Sequence, residues 1–201
     1  MTATQSRIHL WRAGRKDNAS PRRGSFRIAA AASIALCVLA ACVVGSASAA
    51  STKSARVVVA QSENESFLAA VNRVRAAHGL GPLHTSALLT TAATQHSREM
   101  AIRGYFDHDS PHGPTFAARL RHYYPPRHGR RWCAGENIFW SSGTATPQQA
   151  LAAYMKSPEH RANILSPDWT EIGVGTVHAL NETGAYGGRK VTFSTVDFGM
   201  R

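Results

Sequence analysis

The order of the local signals is the strongest constraint on how this chain folds. Helix-start signals precede and separate three strand-like stretches, and each predicted helix is followed by Gly or Pro punctuation. This order is typical of a layered α+β domain rather than an all-helical or all-strand one. The start signals are, in chain order, SENE at Ser62–Glu65 (a capping box), Thr85 or Ser86, GPTF at Gly113–Phe116, Thr146-Pro147 and Ser157-Pro158.

The strand-like stretches are short and rich in β-branched and aromatic residues. In GENIFW, Glu136, Ile138 and Trp140 alternate with Asn137 and Phe139, so the two sets face opposite sides of a strand. TEIGVGTV and VTFSTVDFG follow, and NETGAYGGRK between them is typical of a hairpin loop. The residues alone therefore predict an α+β fold with a small sheet.

The N-terminus has the pattern of an export signal. Residues 1–27 are basic, residues 28–44 are apolar, and small residues follow up to Ala49. We therefore expect residues 1–49 to be a basic region and signal peptide, with cleavage after Ala49, and residues 50–62 to be a linker. Two alternatives stay open: an uncleaved anchor, and lipidation at Cys42 in the sequence LAAC.

Charge and cysteine content narrow the class of protein further. Residues 1–27 hold +6 of the formal net charge of +11, and the remaining basic residues are scattered. No Lys/Arg stripe interleaves with aromatics, so we expect no nucleic-acid partner. Cys133 is the only cysteine after the predicted leader, so no intrachain disulfide is expected there. Cys133 is either a buried small apolar residue or a reactive thiol.

Three residues at element boundaries are candidates for chemistry: His108, Glu136 and His160. Two imidazoles and a carboxylate suit a divalent ion such as zinc, and Glu136 also suits general-base activation of water. Their spacing is not diagnostic. Structural roles are equally open: His108 as a loop residue, His160 bonded to its own helix end and Glu136 held by backbone N–H groups. The Ser157 hydroxyl is expected to cap its helix.

Five stretches in fixed order resemble one known family. VNRVRAAHGLGPL, HSREMAIRGYFDHDSPHG, GENIFW, SPEHRANIL and TEIGVG are similar to the bacterial branch of the CAP superfamily, which includes cysteine-rich secretory, venom antigen and pathogenesis-related proteins. The resemblance covers about residues 63–200 and identifies residues 63–201 as a CAP domain. It implies a three-layer α-β-α sandwich with a small antiparallel sheet between helices.

The resemblance also implies a cleft with two His and two acidic residues. His108, Glu136 and His160 match three of these positions. The second acid falls near Ser157, and the adjacent Glu159 is at the second helical position, so the fourth member is in doubt.

The functional expectation is therefore a secreted or cell-envelope binding module whose cleft holds a divalent metal such as zinc. A hydrolase, peptidase-like and using a metal or Glu136, is one alternative, and a lipid-binding protein is another, because both activities are ascribed to some members of the family. The expected partner is an extracellular or envelope ligand, which includes lipid. Membrane association is expected only through an uncleaved leader or a lipidated Cys42.

Overall fold

The computed structural model describes residues 2–9, 56–180 and 189–201. The helices in these ranges are α1 (Gln61–Ala77), α2 (Ala87–Arg103), α3 (Phe116–Tyr123), α4 (Pro147–Lys156) and α5 (Pro158–Ile164). The strands are β1 (Thr2–His9), β2 (Arg56–Val59), β3 (His84–Thr85), β4 (Cys133–Ser142), β5 (Glu171–Leu180) and β6 (Val191–Met200).

The strands form one sheet in the order β1-β4-β6-β5-β2, with antiparallel neighbours throughout. The short β3 pairs parallel with β5. The three strands predicted from the sequence, β4, β5 and β6, are the centre of this sheet. The expected α+β class and antiparallel sheet are confirmed, and the sheet is larger than the sequence indicated.

The helices pack as two layers, one on each face of the sheet. α2 and α3 cover the face of β4 that carries Glu136 and Ile138. α1, α4 and α5 cover the opposite face, where Phe139 and Tyr154 belong to the largest apolar cluster. The alternation predicted for β4 and the three-layer α-β-α sandwich are therefore both confirmed.

Two predictions near the start of α1 are wrong. Arg56–Val59, inside the expected linker, is a strand, because its β-branched residues find a pairing edge on β5. SENE is not a capping box: α1 begins at Gln61, and Ala60 is its N-cap without a side-chain hydrogen bond. Since the Ala60 N–H donates to the Thr176 carbonyl at 3.0 Å, the end of β2 decides where the helix begins.

The start signals predicted for α2 and α4 agree with the structure. Thr146 accepts from the Gln149 N–H, and the Gln149 side chain accepts from the Thr146 N–H, which completes a capping box at α4. α2 begins after Ser86 and ends at Gly104, whose φ of 71° is the left-handed conformation that favours glycine.

β1 belongs to the predicted N-terminal basic region and pairs with β4 along its whole length. The apolar run, the small-residue exit and Cys42 lie outside the described residues, as does most of the β5–β6 connection, so the leader and hairpin-loop predictions stay predictions. No helix in the described ranges is long and apolar enough to span a membrane.

Cys133 is buried in the apolar cluster beneath α1, α4 and α5, with 2% of its surface exposed. Burial raises the pKa of its thiol, which disfavours the thiolate. Of the two roles left open for Cys133, the structure supports the buried apolar one.

Candidate functional site

The centre of the candidate site is the Glu136 carboxylate, which has no exposed surface. Its Oε1 lies 2.6 Å from Nδ1 of His108, and its Oε2 accepts from the Arg119 guanidinium at 2.5 Å. Glu136 is therefore a buried acid held between two side chains, not one held by backbone N–H groups.

The loop between α2 and α3 brings these side chains to β4. Asp109 Oδ1 accepts from the Phe116 N–H at 2.7 Å, which ties the loop to the first turn of α3. One turn later, Arg119 also donates to the His108 carbonyl at 2.9 Å. Arg119 thus anchors the His108 backbone and the Glu136 carboxylate at once, so α3 sets the position of both predicted site residues.

Two acidic side chains meet at this point of the sheet. Asp197 of β6 is directly opposite Glu136 in the β4–β6 register and is also fully buried. Burial by itself would raise the pKa of Glu136, but the Arg119 charge, with help from His96 and His108, lowers it to about 2. For Asp197, burial followed by the Glu136 charge raises the pKa well above its usual range. The pair therefore holds one negative charge beside Arg119.

His160 is presented from the other layer. Its Nδ1 lies 2.7 Å from Ser157 Oγ, and its ring stacks on Tyr154 with centroids 5.3 Å apart. The backbone of α5 is tied to β4 because Asn137, whose side chain faces away from that of Glu136, donates to the His160 carbonyl at 3.1 Å.

The structure separates the predicted set into a joined pair and a second histidine. His108 and Glu136 are in contact, whereas His160 belongs to a helix on the opposite face of β4. In the described ranges, no group of three or more His, Cys, Asp or Glu side chains is arranged to hold a metal ion.

Ser157, one of the two residues considered for the fourth cleft position, contacts His160. The prediction that Ser157 caps α5 through its hydroxyl is wrong, because Oγ contacts the His160 ring and makes no cap hydrogen bond. Glu159 is exposed.

Sequence reasoning missed Arg119 and Asp197. Arg119 sits in RLRH, a run that indicates a solvated helix face, and Asp197 is the one charged residue in VTFSTVDFG, a predicted strand of mostly β-branched and aromatic residues. The alternation of β6 does place Asp197 on one face, but only the register opposite Glu136 shows that it joins the site.

His96 lies on α2 and is fully buried. Its Nε2 lies 2.9 Å from the Asp107 carbonyl. Burial, the largest effect, lowers the pKa of His96 to about 4. The neutral ring is therefore the form that the folded protein accommodates.

This burial predicts a loss of stability in mild acid. Because the folded pKa lies below the unfolded value near 6.5, the contribution of His96 is complete above pH 6.5 and is lost as the pH falls towards 4. The expected loss is up to about 3 kcal/mol of unfolding free energy, measured by urea denaturation at pH 7 and pH 4.5. His96→Gln should reduce the change in unfolding free energy between these two pH values. His122→Gln, which replaces an exposed histidine, should leave that change as it is in wild type. Identical pH dependence in wild type and His96→Gln would contradict the assignment.

Comparison with known proteins matches most of the chain to one family. The model of the cysteine-rich secretory protein (CAP) family matches residues 68–198. The uncharacterized protein YkwD of Bacillus subtilis (strain 168) is 38% identical over 109 residues, which are 54% of this chain and 40% of that protein. The chain thus spans less than half of this curated relative.

Two solved structures resemble the fold. An extracellular protein containing an SCP domain from Bacillus anthracis is 28% identical with a TM-score of 0.53, over 69% of this chain and 40% of that one. An outer surface protein from Borrelia burgdorferi is 17% identical with a TM-score of 0.56, over 73% of this chain and 98% of that one. The second likeness concerns the fold alone.

Proposed function

The chain belongs to the cysteine-rich secretory protein (CAP) family, and from that premise we propose that it is an exported binding module in which His108 binds a divalent cation. His160 is not required in this proposal, because its helix packs on the opposite face of β4. The observation that carries the proposal is the contact between Nδ1 of His108 and the Glu136 carboxylate.

A carboxylate on one ring nitrogen is the usual companion of a metal-binding imidazole. It fixes the ring orientation, places the proton on Nδ1 and makes the other nitrogen a better donor to a metal. In His108 that other atom, Nε2, is buried and has no hydrogen-bond partner among the described residues. His160 repeats the arrangement in part, since its Nδ1 contacts Ser157 Oγ.

The residues present therefore fit a cation held by the His108 imidazole, which Glu136 orients. Arg119 keeps Glu136 ionised, so that carboxylate accepts the Nδ1 proton of His108 throughout the neutral range. A bound cation would provide a positive charge, and oxygen atoms of a ligand would coordinate it. Water or the ligand would complete its coordination.

A binding role suits the state of Glu136 better than direct catalysis does. Both carboxylate oxygens are committed, one to His108 and one to Arg119, and the group has no exposed surface. A general base has to reach the proton that it removes. Glu136 would therefore act through His108. Hydrolysis remains the alternative that the test below would reopen.

Export is the second part of the proposal. It is supported by the name of one neighbour, the extracellular protein from Bacillus anthracis. The basic-then-apolar N-terminus supports it independently.

Zinc binding is the direct test. At 100 times its Kd, a ligand that binds only the folded protein adds about 2.7 kcal/mol, which for a chain of this size raises Tm by roughly 5–10 °C. We expect that rise in wild type, its loss in His108→Ala, and its retention in His122→Ala, which removes an exposed histidine. If zinc does not raise the Tm of wild type, cation binding is refuted. If zinc raises the Tm of His108→Ala equally, His108 is not the ligand. Glu136-dependent turnover of a peptide substrate would then favour the hydrolase.

A further inference from the structure

The outer edge of β5 is interrupted in its middle. β2 pairs with residues 177–180 and β3 with residues 171–172, so residues 173–176 have neither strand beside them. A cavity of about 340 Å³ opens at this gap, between the first turns of α1 and α2. We call it the edge cavity. It lies within the size range of ligand pockets, at the small end.

The backbone of Val174 faces the edge cavity. Thr176, two residues on, donates its N–H to Asn64 Oδ1 and accepts from the Ala60 N–H, both at 3.0 Å, on this edge. The Ile172 carbonyl, two residues before, accepts a backbone N–H there at 2.8 Å. Since alternate residues of a strand direct N–H and C=O to the same edge, those of Val174 point there too.

Neither backbone group of Val174 has a partner among the described residues, although only 5% of Val174 is exposed. Nearly all buried backbone N–H and C=O groups in proteins are hydrogen-bonded. The edge cavity therefore presents an unused donor and an unused acceptor next to each other on its floor.

Asn64 adds a second donor. It lines the edge cavity and is 5% exposed. Its Oδ1 must face the Thr176 N–H, so the orientation of the amide is determined. The remaining Nδ2 is buried and has no partner among the described residues. This is an independent sign that the cavity is built to receive a polar group.

We propose that the edge cavity binds the backbone of one residue of an extended peptide. The N–H and C=O of such a residue belong to the two amides that flank its Cα and point to the same side, so they complement the C=O and N–H of Val174. Leu68, Ala87 and Ile172 form apolar walls that suit the small alkyl groups flanking an amide. The N-acetyl group of an amino sugar does not offer this pair, because the C=O and N–H of its single trans amide point in opposite directions.

The test is a titration followed by ¹H–¹⁵N NMR with three probes: N-acetyl-alanine-N-methylamide, N-acetylglucosamine and N-acetyl-alanine methyl ester. We expect the first to shift the Val174 N–H and Asn64 side-chain resonances saturably. N-acetylglucosamine, whose single amide cannot make both bonds to Val174, should not. The ester keeps the alanine N–H but offers an ester carbonyl, which is a weaker hydrogen-bond acceptor than an amide carbonyl, so it should bind more weakly than the methylamide.

Two matched variants locate the binding. Ala87→Phe fills the edge cavity from the first residue of α2, whereas Leu88→Phe adds a ring at the next residue, which is exposed and does not line the cavity. Binding should be lost in the first and kept in the second. The proposal is overturned if the methylamide does not shift the two resonances at tens of millimolar, if N-acetylglucosamine shifts them equally well, or if Ala87→Phe binds as wild type does. His108→Ala should leave this binding unchanged, which separates it from the cation site.

Discussion

Arg119→Met is expected to destabilise the folded protein by about 3–5 kcal/mol, because it leaves the Glu136 charge buried beside the equally buried Asp197 without its cation. For a chain of this length the loss corresponds to a fall in Tm of roughly 6–20 °C, measurable by calorimetry. Methionine keeps much of the volume and the apolar stem of Arg119, so the effect reports on charge more than on packing.

Two further variants make this result specific. Arg121→Met changes the same helix at an exposed position, where the arginine lies over the Trp132 ring, and should cost about 1 kcal/mol or less. Glu136→Gln added to Arg119→Met should recover part of the loss, because it removes the unpaired charge. A double variant as unstable as the sum of the two single variants would mean that the residues act independently.

Gly175→Ala is expected to be as damaging, for a steric reason. A Cβ on Gly175 would overlap the α2 backbone at Ala93 and Thr94, and one on Gly173 would overlap Leu89 and Thr90. Added methyl groups in packed cores typically cost about 1–3 kcal/mol, and here the obstacle is helix backbone that has no rotamer to change. We therefore expect a loss at or above the top of that range, seen as a lower urea midpoint or as failure to fold.

Gly81→Ala is the matched control, since nothing lies within 4 Å of the added Cβ and its φ is not positive. It should change the unfolding free energy by less than about 0.5 kcal/mol, as surface substitutions usually do. Equal stability of Gly175→Ala and Gly81→Ala would show that α2 does not depend on the glycines of β5.

The helix starts that are encoded locally were predicted well, and those set by distant contacts were not. Thr146 and Gln149 form their capping box within four residues, so their sequence is sufficient. Ser62 looks equally suitable, yet α1 begins one residue before it. The cause is a hydrogen bond from Ala60 to Thr176, more than a hundred residues away.

The residues of the candidate site were likewise predicted only in part. The motifs selected His108, Glu136 and His160, and alternation placed Glu136 on one face of its strand. The motifs did not reveal that α5 packs on the opposite face, or that Ser157 Oγ contacts a histidine instead of the helix end. Spacing of 28 and 24 residues contains no information about which layer a helix joins.

By itself, then, the sequence determined the α+β class, most helix boundaries and the faces of β4, because periodicity, capping and strand alternation act over a few residues. Only the tertiary structure decided that Arg119 and Asp197 share the Glu136 environment and that the backbone groups of Val174 have no partner among the described residues. These features arise from strand register and helix docking. Both minimise the free energy of the whole packed domain, so no local stretch of the chain specifies them.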